Sequence, residues 1–212
     1  MATGEHYFTS RPGSEAKLHA LSVRLAGRDL ELTTAAGIFS PDHVDIGTAV
    51  LLDDAPQVPA TGDLLDLGCG WGPIALTLAL HAPDATVWAV DVNERALDVV
   101  RRNAASLGLG NINAVLPGDV PESVAFRAIW SNPPIRIGKA QLHDLLNRWL
   151  PRLDVGADAW LVVQRNLGSD SLQRWLAAEL ADDFEVTRAW SSKGFRVLNV
   201  HRGGAAAARD DA

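Results

Sequence analysis

The amino-acid sequence predicts an α/β fold in which a doubly wound, mostly parallel sheet carries helices on both faces. Two patterns predict it. From residue 63 onward, short apolar runs alternate with segments of helical period, the signature of strand–helix–strand units. In addition, the residues with distinctive chemistry all fall at the carboxyl ends of those runs: a glycine loop at 68–72, Asp91, Asp119 and Asn132. Sheets of this class bind ligands there, in the crevice where the strand order reverses.

The elements follow in order. Leu21, Val23 and Leu25 form one alternating run and Leu30, Leu32 and Thr34 another, with Gly27-Arg28-Asp29 suited to a turn, so a β-hairpin is expected. Asp45-Ile46-Gly47-Thr48 leads into a short helix at 49–52, and Pro56, Pro59 and Gly62 make a linker. Residues 64–67 are the first strand of the main unit, followed by the glycine loop and a helix from Pro73 to about His81. A strand at 86–90 ends at Asp91. A helix over 94–107 places Ala96, Leu97, Val99 and Val100 on its apolar side, and Gly108 closes it. Strands are expected at 112–116 and 128–130, a helix over 138–153, and a fifth strand at 159–163. Asp170 is expected to cap a helix through Ala181, and strands at 184–190 and 195–200 make seven. The chain thus divides into a hairpin-and-helix extension (1–60), a main domain (61–202) and a small polar tail (203–212) expected to be disordered.

Composition narrows the function. At 212 residues and 47% apolar content there is material for one sizeable core. No run of 18 apolar residues occurs, so no transmembrane helix is expected. No basic stretch followed by an apolar one opens the chain, so a signal peptide is not expected and a cytoplasmic location is. Cys69 is the single cysteine, and the six histidines lack metal-ligand spacing, so neither a disulfide nor a metal site is expected. A net charge of −7 argues against general polyanion binding, yet residues 130–202 hold 10 basic and 8 acidic side chains. An anionic macromolecule would meet that half first.

The sequence Asp66-Leu67-Gly68-Cys69-Gly70-Trp71-Gly72-Pro73 brings bare backbone close to a ligand. A dinucleotide fingerprint would need glycine at 73, where Pro73 stands, and a P-loop would need a Gly-Lys-Ser/Thr sequence that is absent. Asp66 beside the loop suits a cationic or zwitterionic ligand end instead. Asp91 can accept from both ribose hydroxyls of an adenosyl group, or can cap the next helix, as can Asn93. Asp119 can accept from an adenine amino group, or be a turn residue before Pro121. Asn132-Pro133-Pro134 is the sharpest signal. Two prolines stiffen the loop, and the Asn132 side-chain oxygen and Pro133 carbonyl can accept from a planar amino group. Methyl transfer to such a nitrogen develops positive charge there, which fixed acceptor dipoles stabilise. No strong general base is required.

These residues resemble the class I S-adenosylmethionine-dependent methyltransferases that modify amino nitrogens. Within them the chain is similar to the small-domain (MTS) branch of RsmC-like 16S ribosomal RNA guanine-N2 methyltransferases. The matching strings are His6-Tyr7-Phe8, Gly37-Ile38-Phe39-Ser40, Asp45-Ile46-Gly47-Thr48, the glycine loop, residues 132–139 and residues 193–198. The resemblance implies a seven-stranded Rossmann-like sheet with an antiparallel C-terminal strand. It implies a cofactor pocket of Asp66, Gly68, Cys69, Gly70, Trp71, Gly72, Asp91, Val92, Asp119, Val120 and Asn132, holding S-adenosyl-L-methionine. Catalysis is expected from Asn132, Pro133, Pro134 and Ile135. Arg136, Lys139, Lys193 and Arg196 are expected to meet phosphates of an RNA partner, ribosomal RNA or the small subunit, with the protein a monomer or weak homodimer. Ile135 stands where many such enzymes have a stacking aromatic, which makes Phe39 the stacking candidate. The longer RsmC-like enzymes also carry a degenerate second copy of this domain before the catalytic one, where this sequence has the short hairpin extension, so the substrate need not be the same nucleotide. Methylation of a protein glutamine or a small molecule, and a non-catalytic cofactor-binding role, are the competing readings.

Overall fold

The computed structural model describes residues 17–54 and 56–204 of the chain. The His6-Tyr7-Phe8 string and residues 205–212 of the tail lie outside them. A seven-stranded sheet runs in the order β5-β4-β3-β6-β7-β9-β8. Its strands are β3 (Thr61–Leu67), β4 (Asp84–Val90), β5 (Ile112–Val115), β6 (Phe126–Ser131), β7 (Leu153–Gln164), β8 (Phe184–Ser192) and β9 (Phe195–Arg202). The first five are parallel, and β9 inserts antiparallel between β7 and β8. The expected sheet, with its antiparallel C-terminal strand, is therefore present. From β3 the chain winds outward to β4 and β5, then returns to the other side of β3 for β6 and β7. The order reverses between β3 and β6, so the glycine loop and the Asn132 loop open onto one crevice.

Side chains on each strand alternate between two cores, as the pleat requires. Leu64, Val87, Trp130 and Val162 face one side, with α2 (Pro73–His81) and α3 (Glu94–Ser106). Leu65, Ile129, Leu161 and Val163 face the other, with α4 (Lys139–Trp149) and α5 (Ser169–Glu179). The short helix α1 (Ile46–Asp53) joins the first layer through Val50 and Leu51.

The hairpin of β1 (Leu18–Leu25) and β2 (Arg28–Ala35) lies outside α2 and α3, where Leu21, Leu25 and Leu32 meet Leu76, Ala96 and Val99. Each buried leucine or valine there contributes about 1.5–3 kcal/mol. Polar ties fasten it: Thr33 N–H donates to Asn103 Oδ1 (2.8 Å) and Asn103 Nδ2 donates to the Thr33 carbonyl (2.9 Å). Arg95 donates to the Ala36 carbonyl and Asn93 to that of Gly37.

Four local expectations are corrected. The hairpin turn is Ala26–Gly27, both at positive φ, and Arg28 and Asp29 already pair with Leu25 and Arg24. That is the two-residue turn whose twist matches its strands. Asp170 is not a cap: Gly168 takes that position at φ 96, and the Asp170 carboxylate turns to Arg188 and Arg196. The long helix expected over 138–153 ends at Trp149, because Pro151 converts the last turn to a 3-10 helix that feeds directly into β7. β7 also begins six residues earlier than expected, at Leu153.

Candidate active site

The glycine loop is folded against the end of β4. Gly68 and Cys69 N–H groups both donate to the Val90 carbonyl (2.8 and 3.1 Å), and Gly70 N–H donates to Asp91 Oδ2 (2.9 Å). Gly70 has φ 54, and a Cβ there would stand in open space, whereas one on Gly72 (φ 93) would press on Val100 Cγ2 at 2.9 Å. Gly70 therefore keeps room for a ligand, and Gly72 keeps α3 against the loop. Asp91 is 4% exposed, and its Oδ1 accepts from Asn93 N–H while Asn93, the expected alternative, caps α3.

The facing wall is the loop after β6. Ser131 is buried and donates to the Leu67 carbonyl at 2.6 Å, tying the two strand ends together. Pro134 adopts φ −74, ψ 76, a tight turn in which Ile135 N–H donates to the Pro133 carbonyl at 2.8 Å. One lone pair of that expected acceptor is thus in use, and the second is available. Asn132 Nδ2 donates to Asp45 Oδ2 (2.8 Å) and Thr48 Oγ1 (3.1 Å) at the start of α1. Asp45 also caps α1, accepting from Gly47 and Thr48 N–H. Between the two loops lies a cavity of about 390 Å³, bounded by Gly68, Gly70, Asn132, Pro134, Phe39 and Phe195 among others.

Residues 29–199 match the family model described as methyltransferase small domain. The chain belongs to that family. An uncharacterized Bacillus subtilis protein, YbxB, is 33% identical over 201 residues, spanning 93% of this chain and 98% of its own. Ribosomal RNA small subunit methyltransferase C of Shewanella amazonensis is 30% identical over 162 residues. The chain spans about half the length of that relative (47%) and covers the match with 74% of its own. In three dimensions it is similar to the T. Thermophilus 16S rRNA methyltransferase RsmC, solved with AdoMet and guanosine (TM-score 0.72, 22% identity, 91% of this chain and 52% of that one).

Not every residue that resemblance to the methyltransferase small domain family nominated stands on the cavity wall. Asp66 is fully buried behind the loop, where Oδ2 accepts from Ala75 N–H (2.9 Å) and Oδ1 has no partner. Burial, then the Asp91 charge, outweigh that hydrogen bond and push its carboxyl up to about 8. Burial, then the Asp91 and Asp66 carboxyl groups, raise the Cys69 thiol well above its usual range and favour its neutral form. The Trp71 indole packs under the hairpin and donates to the Ser40 carbonyl (3.1 Å), so this tryptophan lines the cavity and also anchors the extension. Val92 is 44% exposed, Val120 is buried, and Asp119 is an exposed turn residue whose N–H donates to the Leu116 carbonyl. Of the four cations, Arg136 lines the cavity and Lys139 is exposed on α4. Lys193 pairs with Asp53 at 3.3 Å, and Arg196 (11% exposed) is held by Asp170 and Ser169.

Sequence reasoning gave no role to Asp45, Thr48 or Phe195. Gly47 sits where a Cβ would meet the Phe195 ring at 2.9 Å, so Asp45-Ile46-Gly47-Thr48 caps a helix, admits an aromatic and holds Asn132 at once. Among the described residues, no group of three or more His, Cys, Asp or Glu could hold a metal, and no helix is long and apolar enough to cross a membrane.

Proposed function

We propose that this protein transfers a methyl group from S-adenosylmethionine to an aromatic exocyclic amino group, with the 2-amino group of guanine in ribosomal RNA as the substrate. The observation that carries the reading is Asn132: both its amide hydrogens are committed to Asp45 and Thr48, and its oxygen is left to the cavity beside a glycine loop shaped for close approach. The cavity fits the cofactor because Gly70 leaves open the space that any other side chain would fill. When bound, S-adenosylmethionine supplies an electrophilic methyl group on a sulfonium sulfur that keeps the bonding pair and leaves as a neutral thioether.

The protein's residues do the rest. The loop 68–72 presents backbone to the methionine portion. Asp91, whose carboxylate is oriented by the Gly70 and Asn93 N–H groups, is the acceptor for the ribose hydroxyls. Val92, apolar and exposed at the end of β4, offers a surface for the adenine face. Asp119 lies at the next strand end, in reach of the adenine edge by topology. Asn132 Oδ1 and the open lone pair of the Pro133 carbonyl accept from the target N–H groups. They aim the nitrogen lone pair at the methyl carbon and stabilise the charge the nitrogen gains as the new N–C bond forms. The surplus proton then passes to water. Phe39 and Phe195, both on the cavity wall, supply the aromatic faces that Ile135 does not. Arg136, on the cavity lining, and the exposed Lys139 three residues on are the cations assigned to RNA phosphates.

Transfer of labelled methyl from S-adenosylmethionine tests the reading, with deproteinised small-subunit rRNA, assembled small subunits and total cell protein as acceptors. Labelled N2-methylguanosine is the expected product, with Asn132→Ala losing at least 100-fold in kcat while cofactor binding persists. Labelling confined to protein, or undiminished turnover by Asn132→Ala, refutes it.

A further inference from the structure

The Asn132 amide fits only one way round. A carboxylate has no proton to give, so the atom facing Asp45 Oδ2 at 2.8 Å must be the donor Nδ2, whose second hydrogen goes to Thr48 Oγ1. Asp45 is used just as unevenly. Three donors, the N–H groups of Gly47 and Thr48 and the Asn132 amide, converge on Oδ2, and no described residue donates to Oδ1. Neither Asn132 Oδ1 nor Asp45 Oδ1 is sealed from solvent, and both residues line the cavity. The site therefore offers two neighbouring acceptors joined by a hydrogen bond behind them.

We propose that Asp45 is a positioning and specificity residue for the amino group methylated here. It locks Asn132 with Oδ1 toward the target nitrogen and presents its own Oδ1 to an N–H on the ring atom beside that nitrogen. The inference rests on the amino-methylation reading above. Its chemistry selects among amino substrates. Guanine carries a ring N–H next to its 2-amino group and satisfies both oxygens. Adenine has a bare ring nitrogen next to its amino group, whose lone pair would face the carboxylate. A glutamine side chain has a carbonyl oxygen there, which the carboxylate also repels. Asp45 further polarises the Asn132 amide, making Oδ1 a stronger acceptor as the target nitrogen gains charge.

Helix capping alone does not call for a carboxylate, since Asn and Ser cap as well as Asp. Asp45→Asn separates the roles: it keeps a cap and an oxygen toward Asn132 Nδ2, but turns the cavity-facing acceptor into a donor. The test uses the full chain and an oligoribonucleotide spanning the methylated position, made with guanosine or with 2-aminopurine riboside, which keeps the amino group and lacks the ring N–H. Wild type is expected to favour guanosine in kcat/KM by about 10- to 100-fold. Asp45→Asn is expected to bring that ratio to one or below while its unfolding midpoint and cofactor affinity stay at wild-type values. An unchanged ratio, or equal losses on both substrates, overturns the proposal. Should Asp45→Asn fail to fold, Asp45→Ser, which caps and offers no second oxygen, is read the same way. Asn132→Ala runs in parallel: wild-type turnover there defeats the amino-methylation reading itself, whereas an inactive Asn132→Ala beside an unchanged Asp45→Asn ratio defeats only the role given to Asp45.

Discussion

Asp66→Asn should make the protein progressively more stable than wild type as pH rises. Asp66 is 0% exposed, one carboxyl oxygen takes a single N–H and the other takes nothing, and Asp91 stands near as a second negative charge. Its carboxyl therefore holds its proton to about pH 8 in the folded chain, against 3.8 for the ordinary group. Between those values the folded state binds one proton more than the unfolded state. The contribution is thus fully present below about pH 4 and drains away as pH climbs through about 8. One group losing a proton across two pH units shifts the balance by about 3 kcal/mol. Asparagine keeps the acceptor for Ala75 N–H and has no ionisation to suppress. Urea unfolding of both proteins at pH 5, 6 and 7 measures the effect, with the difference expected to move by about 3 kcal/mol in favour of Asp66→Asn from pH 5 to 7. Parallel curves would mean that Asp66 is already ionised behind the loop, and the burial argument would fall.

Other substitutions separate binding from folding. Gly70→Ala should cost about 1–2 kcal/mol for its left-handed backbone yet abolish cofactor binding in calorimetry, because its methyl enters the cavity. Gly72→Ala adds a collision with Val100 and should cost about 2–5 kcal/mol in urea unfolding. Asn103→Ala strands both the N–H and the carbonyl of Thr33, and should lower stability by about 2–4 kcal/mol. In salt titrations of RNA binding, Arg136→Ala should flatten the slope by about one ion. Arg196→Ala should leave that slope alone and lower the unfolding midpoint instead, since it leaves Asp170 with Arg188 as its remaining partner.

The parts of this site legible in the sequence are those whose signals are local. The strand–glycine–Pro73 transition was readable because proline at the first helical position and glycine at positive φ each have a backbone reason. The Asn132 loop was readable because two prolines after an apolar run leave few alternatives. Asp45 was not, since its bond to Asn132 crosses 87 positions and exists only because the start of α1 lies beside the end of β6. Asp170 misled because a carboxylate near a helix start suits a cap, and only the folded β8 and β9 bring Arg188 and Arg196 to claim it. The early part of β7 was hidden by Asp154, Gly156 and Asp158, which interrupt the apolar run while Leu153, Ala157 and Ala159 keep facing inward. Pairing partners, not propensity, extended that strand.

The ties that hold the extension share a property. Asn103, Arg95, Asn93 and Trp71 reach across to Thr33, Ala36, Gly37 and Ser40, and each grips a main-chain carbonyl rather than a side chain. Every amino acid carries that carbonyl, so these four ties read the path of the segment 33–40 and not its letters. Phe39, in the middle of it and 46% exposed, can be exchanged without loosening any of these four ties. These four ties are thereby uncoupled from the side chain that Phe39 presents to the cavity. A methyltransferase assembled this way can change what it touches at the cavity mouth while the frame that holds Asn132 stays as it is.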